Sequence, residues 1–253
     1  MIIRNSEERE ILREGGRKLA AVLAMLKKEI KAGVTSAAID QLALELILET
    51  GGEPSFKGYK VYGARNPYPG TVCISINDEV VHGIPSGREL ANGDIVGLDI
   101  GMKYRGLFTD MAETVSVGKI DAVSEKLIDV TKNSLERAIA ILKAGATTGD
   151  VGFAIEKYVT ENNFGIIREL VGHGVGRAVH EDPEIPNWGK AGEGNVFRED
   201  EVIAIEPMTT EGSEEVYLAK DGWTWKTKDG KRSAHFEHTI IIGKNFGEVI
   251  TKI

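Results

Sequence analysis

Apolar residues between positions 6 and 50 recur three and four apart. Ile11, Leu12, Leu19, Val22, Leu23, Leu26 and Ile30 share one face of a helix. Ser6 is placed to cap it, and Glu7 and Glu8 fall in its first turn, where the helix dipole favours anions. Lys31-Ala32-Gly33 ends the pattern. A second helix follows Thr35 or Ser36, carries Ile39, Leu42, Ala43, Leu46 and Ile47, and stops at Gly51-Gly52. The pattern then changes to apolar β-formers, in GDIVGLD (93–99) and again in DEVIAIE (200–206), each closing on a carboxylate.

The same order occurs twice. KAGVT (31–35) and KAGAT (143–147) each separate a long amphipathic helix from a shorter one, with Ile39, Ala43 and Ile47 matched by Val151, Ile155 and Val159. Too few copies exist for a solenoid. The pattern predicts one α+β domain spanning 1–253, an internal duplication with halves of roughly 1–120 and 121–253. The two α/β halves are related by a pseudo-twofold and share one core and one site. Glycine, 30 of 253 residues, is scattered among turns, and no linker or low-complexity seam interrupts the chain.

Composition narrows the function. A net charge of −8 argues against a nucleic-acid partner or an anionic membrane surface. The single cysteine excludes an internal disulfide or a cysteine-based zinc site. No apolar run reaches the ~18 residues of a membrane span, and the charged start is unlike a secretion signal. The expectation is a soluble, cytoplasmic protein.

The strand acids carry the chemistry. Asp99 and Asp110 lie in consecutive apolar runs, and a hairpin turn near Met102–Arg105 would set them opposite each other. They are either solvated surface acids or carboxylates able to share an ion, but aspartate is disfavoured in strands and these sit among apolar neighbours. Glu206, closing VIAIE, and Glu237, in HFEHTIII, repeat the arrangement. Four converging carboxylates repel unless protonated or neutralised, and two divalent ions balance them in formal charge. His173, between Gly172 and Gly174, is a fifth candidate, since imidazole with carboxylates suits Mn, Fe, Co or Zn. His180 and His82 are candidates for protonating or polarising a substrate. His235 and His238 flank Glu237 and are read as structural, pointing away from it. No phosphate loop, HExxH or nucleophile elbow is present, and Cys73 alone reads as a small buried strand residue.

Together NDEVVHGIP, DIVGLDIG with Asp110 eleven residues after Asp99, GHGVGRAVHEDP, AIEPM and DGWTWKTKDGKRSAHFEHT resemble the type I methionine aminopeptidases of the pita-bread fold, in the short bacterial form, across almost the whole chain. The resemblance implies Asp99, Asp110, His173, Glu206 and Glu237 as ligands of two divalent ions. Asp110 and Glu237 would be shared, Asp99 would sit on one ion, and His173 and Glu206 on the other. It implies His82 and His180 beside the scissile peptide, and Tyr68, Cys73 and Trp223 around the methionine side chain. Two ions ~3.5–4 Å apart can activate water and polarise a carbonyl. Glu206 would take the water's proton and pass it to the leaving amine. The substrates would be N-termini of nascent polypeptides with a small second residue, and the enzyme a monomer open to ribosome association.

Three departures stand out. Val179 replaces an aromatic usual in the family, which loosens one pocket wall. His235 replaces a glutamine. The segment 56–70 is long, leaving open whether Tyr59 or Tyr62 approaches the site. The rival readings are an Xaa-Pro aminopeptidase of the same fold, or a non-catalytic pita-bread binding protein.

Overall fold

The first half contains helices α1 (Ser6–Lys28) and α2 (Ser36–Glu49). Strands β1 (Glu53–Pro54), β2 (Val72–Ile76), β3 (Glu79–Val81), β4 (Ile95–Tyr104) and β5 (Leu107–Ser116) follow. The second begins with α3 (Ala122–Ile141) and α4 (Thr148–Glu161). Its strands are β6 (Gly165–Ile166), β7 (Gly172–Gly174), β8 (Glu181–Ile185), β9 (Val202–Ile205), β10 (Met208–Thr210), β11 (Val216–Leu218), β12 (Trp225–Thr227), β13 (Ser233–His235), β14 (Glu237–Ile242) and β15 (Gly247–Val249). These elements come from a computed structural model that describes residues 1–60 and 66–253.

Both helix pairs open in the same way. Thr35 caps α2 by accepting from the Ala38 amide, and Thr147 caps α4 in a reciprocal capping box with Asp150. Gly33 and Gly145 precede them with φ of 85° and 93°, a region closed to most side chains, which explains the repeated KAG. The amides of Gly33 and Gly145 donate to the carbonyls of Leu90 and Phe197, and those residues' amides donate back to Val34 and Ala146. At α1 the expectation shifts by one residue. Asn5, rather than Ser6, accepts from the Glu8 amide at 2.9 Å, and Ser6 becomes the first helical residue.

The main sheet is antiparallel and runs β1-β4-β5-β14-β9-β7-β8, with β2 also paired to β4 and β15 to β14. Its two halves meet at β5–β14. Strand alternation divides its faces. Val96, Leu98 and Ile100 of β4 pack under α1 and α2, while Ile203 and Ile205 of β9 with Ile240 and Ile242 of β14 pack under α3 and α4. Asp99, Glu206 and Glu237 are out of phase with those residues and fall on the opposite face.

The β4–β5 hairpin corrects the expected register. Its turn is centred on Arg105-Gly106, with φ of 46° and 88°, the two successive positive values that a tight two-residue hairpin turn needs. Tyr104 therefore pairs with Leu107, Asp99 with Ala112, and Asp110 with Gly101. Asp99 and Asp110 are diagonal neighbours on one face instead of directly opposed.

Candidate metal centre

Two adjacent rows of side chains build the site. Cys73 pairs with Asp99, Asp99 with Ala112, and Ala112 with Glu237, forming one row. Glu206 follows Ile205, whose partner is His238, and so extends that row beyond Glu237. The second row holds His173, Ala204 and Thr239, then Asp110 and Gly101 across the junction. Small residues stand between the acids and leave the centre open.

At the junction β5 and β14 pair directly only at Ala112–Glu237 and Met111–His238. On one side the Thr239 hydroxyl accepts from the Asp110 amide at 2.8 Å and donates to the Asp110 carbonyl at 2.7 Å. On the other, Thr114 accepts from the His235 amide at 2.8 Å and donates to its carbonyl at 2.9 Å. Each threonine spans strands that have parted and satisfies backbone groups that would otherwise be orphaned.

Asp99, Asp110, Glu206, Glu237 and His173 are all buried. Burial pushes all four carboxyls well above the carboxylate range, and their mutual repulsion adds to it: Glu206 acts on Asp99, Asp99 on Asp110, and Asp110 on both glutamates. Glu237 Oε1 has no hydrogen-bond partner among the described residues. Donor atoms of Asp110, His173 and Glu237 lie within 4.8 Å of one another. This oxygen-rich set with one imidazole fits a divalent cation, which would relieve the repulsion and occupy the orphaned oxygen.

The His173 ring is held in one tautomer. Its Nδ1 meets the Gly174 carbonyl at 2.8 Å, an acceptor only, so Nδ1 carries the proton and the Nε2 lone pair faces Glu206 Oε1 at 3.4 Å. Burial, then the neighbouring His180, lowers its pKa to about 3, keeping the ring neutral. The flanking glycines are required: a Cβ at 172 would lie 2.5 Å from the Ala204 carbonyl oxygen, and one at 174 2.2 Å from that of Asp182.

All ten residues singled out in the sequence line one cavity, joined by Phe56 and Tyr59. His180 sits 4.4 Å, ring to ring, from His173, and its Nδ1 lies 2.8 Å from the Tyr59 hydroxyl. Tyr59 thus reaches the site, while Tyr62 lies outside the described residues. Burial lowers the His180 pKa, and that of His82 to about 4. His82 holds a φ of 59°, and Gly83 beside it is forced, since a Cβ there would lie 2.2 Å from the Ile74 carbonyl oxygen. Tyr68 donates to the Gly83 carbonyl at 2.8 Å and meets the Trp223 ring edge-on at 5.3 Å. These two, with Cys73, Val179 and Phe56, form an apolar cluster at the acids' edge. Phe56 was not anticipated. It packs against the Gly101 backbone, where a Cβ would lie 2.8 Å from Phe56 Cε1.

One assignment is overturned. His235 does not point away: its Nε2 lies 3.6 Å from Glu206 Oε2. It stands two residues before Glu237 and shares its face, with Phe236 breaking the strand between them. His238 does face away, against the Thr251 hydroxyl at 2.9 Å.

The model of metallopeptidase family M24 matches residues 10–244. A methionine aminopeptidase of Clostridium perfringens is 42% identical over 253 residues, covering 100% of this chain and 99% of that protein. Methionine aminopeptidase 1 of Bacillus subtilis is also 42% identical, over 100% of both. The crystal structure of a methionine aminopeptidase from Thermotoga maritima superposes with a TM-score of 0.95 at 43% identity, covering 100% of each chain. The architecture is the pita-bread arrangement expected from the sequence. With its sequence, its fold and its buried acids in agreement, the chain belongs to metallopeptidase family M24.

Proposed function

We propose that the protein is a methionine aminopeptidase, a metal-dependent hydrolase that removes the N-terminal methionine from nascent proteins and peptides with a small second residue. The observation that carries this reading is the position of the apolar cluster of Tyr68, Cys73 and Trp223 directly beside the buried carboxylates. A peptide whose first side chain fills that cluster presents its first peptide bond to the acids. The relatives' names point the same way.

Asp99, Asp110, His173, Glu206 and Glu237 would hold two divalent ions, with Asp110 and Glu237 on the two central strands. The ions would supply Lewis acidity to the scissile carbonyl and acidify a water. Glu206, at the end of its row, takes the proton and returns it to the leaving amine. His180 donates a hydrogen bond to the developing oxyanion. Its Nδ1 meets the Tyr59 hydroxyl at 2.8 Å, and a phenol donating there would leave Nε2 the hydrogen for that bond. His82, neutral by burial and lining the same cavity, would serve the leaving nitrogen.

The reading takes the chain as one catalytic unit of two duplicated halves, meeting near residue 120. It acts as a monomer on nascent chains in the cytoplasm, near the ribosome. No helix among the described residues is long and apolar enough to cross a membrane. The test is a metal count followed by cleavage of Met-Ala and Ala-Pro peptides. Metal-dependent release of methionine from Met-Ala supports the proposal, and preference for Ala-Pro would replace it with the Xaa-Pro reading.

A further inference from the structure

Glu206 stands between two imidazoles. His173 Nε2 lies 3.4 Å from its Oε1 and His235 Nε2 3.6 Å from its Oε2. His173 has a clear task as a donor atom, whereas nothing so far gives His235 one. Yet His235 is 2% exposed, and its Nε2 is buried without a hydrogen-bond partner among the described residues. A buried ring nitrogen without a partner is uncommon and calls for an explanation.

The pseudo-twofold supplies a second, independent observation. An axis through the Ala112–Glu237 pair exchanges Thr114 with Thr239, the two residues that bridge the parted strands. Asp110 stands four residues before Thr114, and His235 four residues before Thr239, so the same rotation exchanges Asp110 with His235. Asp99 in DIVGLD and Glu206 in EVIAIE correspond in the same way. The rotation therefore matches Asp99 and Asp110 of the first half with Glu206 and His235 of the second, which also supplies Glu237 and His173. The second half has placed an imidazole where the first has a carboxylate.

The two rings around Glu206 need opposite tautomers. Nδ1 of His173 must donate to a carbonyl, which leaves Nε2 as an acceptor or a ligand. With a cation in the centre Glu206 is ionised, and Nε2 of His235 then faces a carboxylate oxygen, which an N–H satisfies and a lone pair does not. We propose that His235 is a positioning residue of the centre, whose Nε2–H fixes Glu206 Oε2 and leaves Oε1 as the single donor oxygen beside His173. The inference rests on the metallopeptidase reading and adds to it a residue that sets how Glu206 binds. A carboxylate pinned through one oxygen keeps a fixed bearing for both its ligand and its proton-transfer roles. Hydrogen-bond partners of metal ligands of this kind typically change metal affinity ~10–100-fold when removed.

The experiment uses the full chain stripped with a chelator and titrated calorimetrically with Co²⁺, with the visible Co²⁺ spectrum recorded alongside. His235→Ala should weaken metal binding by about 10–100-fold and alter the spectrum. His235→Gln, which restores an N–H donor of similar reach, should return most of the affinity. In wild type loaded with Zn²⁺, ¹⁵N NMR should show the Nε2–H tautomer at His235, a readout that needs no variant to fold. Affinity and spectrum unchanged in His235→Ala overturn the role of His235. So does a glutamine variant as weak as the alanine one, or an Nδ1–H tautomer in the loaded wild type. Wild type that takes up no divalent metal overturns the metallopeptidase reading itself, and this inference with it.

Discussion

Thr239→Val tests whether the parted strands at the centre are held as described. Thr239 is fully buried, and its hydroxyl serves both polar groups of the Asp110 backbone, at 2.8 and 2.7 Å. Valine keeps the shape and removes the hydroxyl, so no cavity opens and the cost is polar. Two hydrogen bonds are lost and a buried N–H and C=O are left unpaired, at ~1–3 kcal/mol for each orphaned group, or about 2–6 kcal/mol together. For a chain of this size ~1 kcal/mol moves Tm by ~2–4 °C, so the melting point of the metal-free protein should fall by at least about 4 °C. Thr114→Val, the equivalent change around His235, should cost a similar amount. The functional consequence differs: Thr239→Val loosens the backbone that aims Asp110 and should weaken metal binding as well. The assay is urea unfolding of the chelator-stripped variants, followed by calorimetric metal titration. A loss below ~0.5 kcal/mol, the size of an ordinary surface substitution, would refute the reasoning, because the backbone groups would then have found other partners.

Three further outcomes are expected. His180→Ala removes a transition-state donor and no ligand, so kcat should fall about 10²–10³-fold with metal content unchanged, whereas Asp110→Ala should lower metal content itself; equal metal loss in both would reassign His180. Val179 packs with Phe56, Tyr68, Cys73 and Trp223, and Val179→Phe should raise the Met-to-Leu ratio in kcat/KM by about tenfold, the low end of one methylene's worth in an apolar pocket; an unchanged ratio would mean that Phe56 already closes the wall. The metal-free protein should lose stability as pH rises. Its buried acids are held above their ordinary values of 3.8 and 4.5, so the folded state binds more protons than the unfolded one from about pH 4 upward. The buried histidines oppose this only below about pH 6.5, where the unfolded chain protonates first. The Tm gain on adding metal should therefore widen between pH 6.5 and 8, and a gain independent of pH would contradict the proposed source of the strain.

The residues that line the cavity were largely legible because the key ones break a local rule. Asp99, Glu206 and Glu237 are carboxylates inside apolar strands, and His173 lies between glycines that no helix would favour. The helices were legible through their period and the KAG turns. The hairpin register was not, because it depends on which residues take positive φ. Arg105-Gly106 does so, which puts the turn two positions later than Met102–Arg105 and pairs Asp99 with Ala112, two residues beyond Asp110. His235 was misplaced because flanking residues were treated alike, although only His238 is out of phase with Glu237. Phe56 comes from a segment without periodicity, where hydrophobic patterning carries no signal. The pseudo-twofold would have recovered His235, since its distance from Thr239 equals that of Asp110 from Thr114.

The central claim is that the buried acids hold divalent metal for cleavage after an N-terminal methionine. The most direct measurement is methionine release from a Met-Ala peptide by chelator-stripped protein, followed as Co²⁺ or Mn²⁺ is added back with bound metal counted at each point. The account predicts no release from the stripped protein, which remains folded, and release that rises with bound metal up to two ions per chain. Full activity persisting after exhaustive chelation, or metal uptake without any release of methionine, would contradict it.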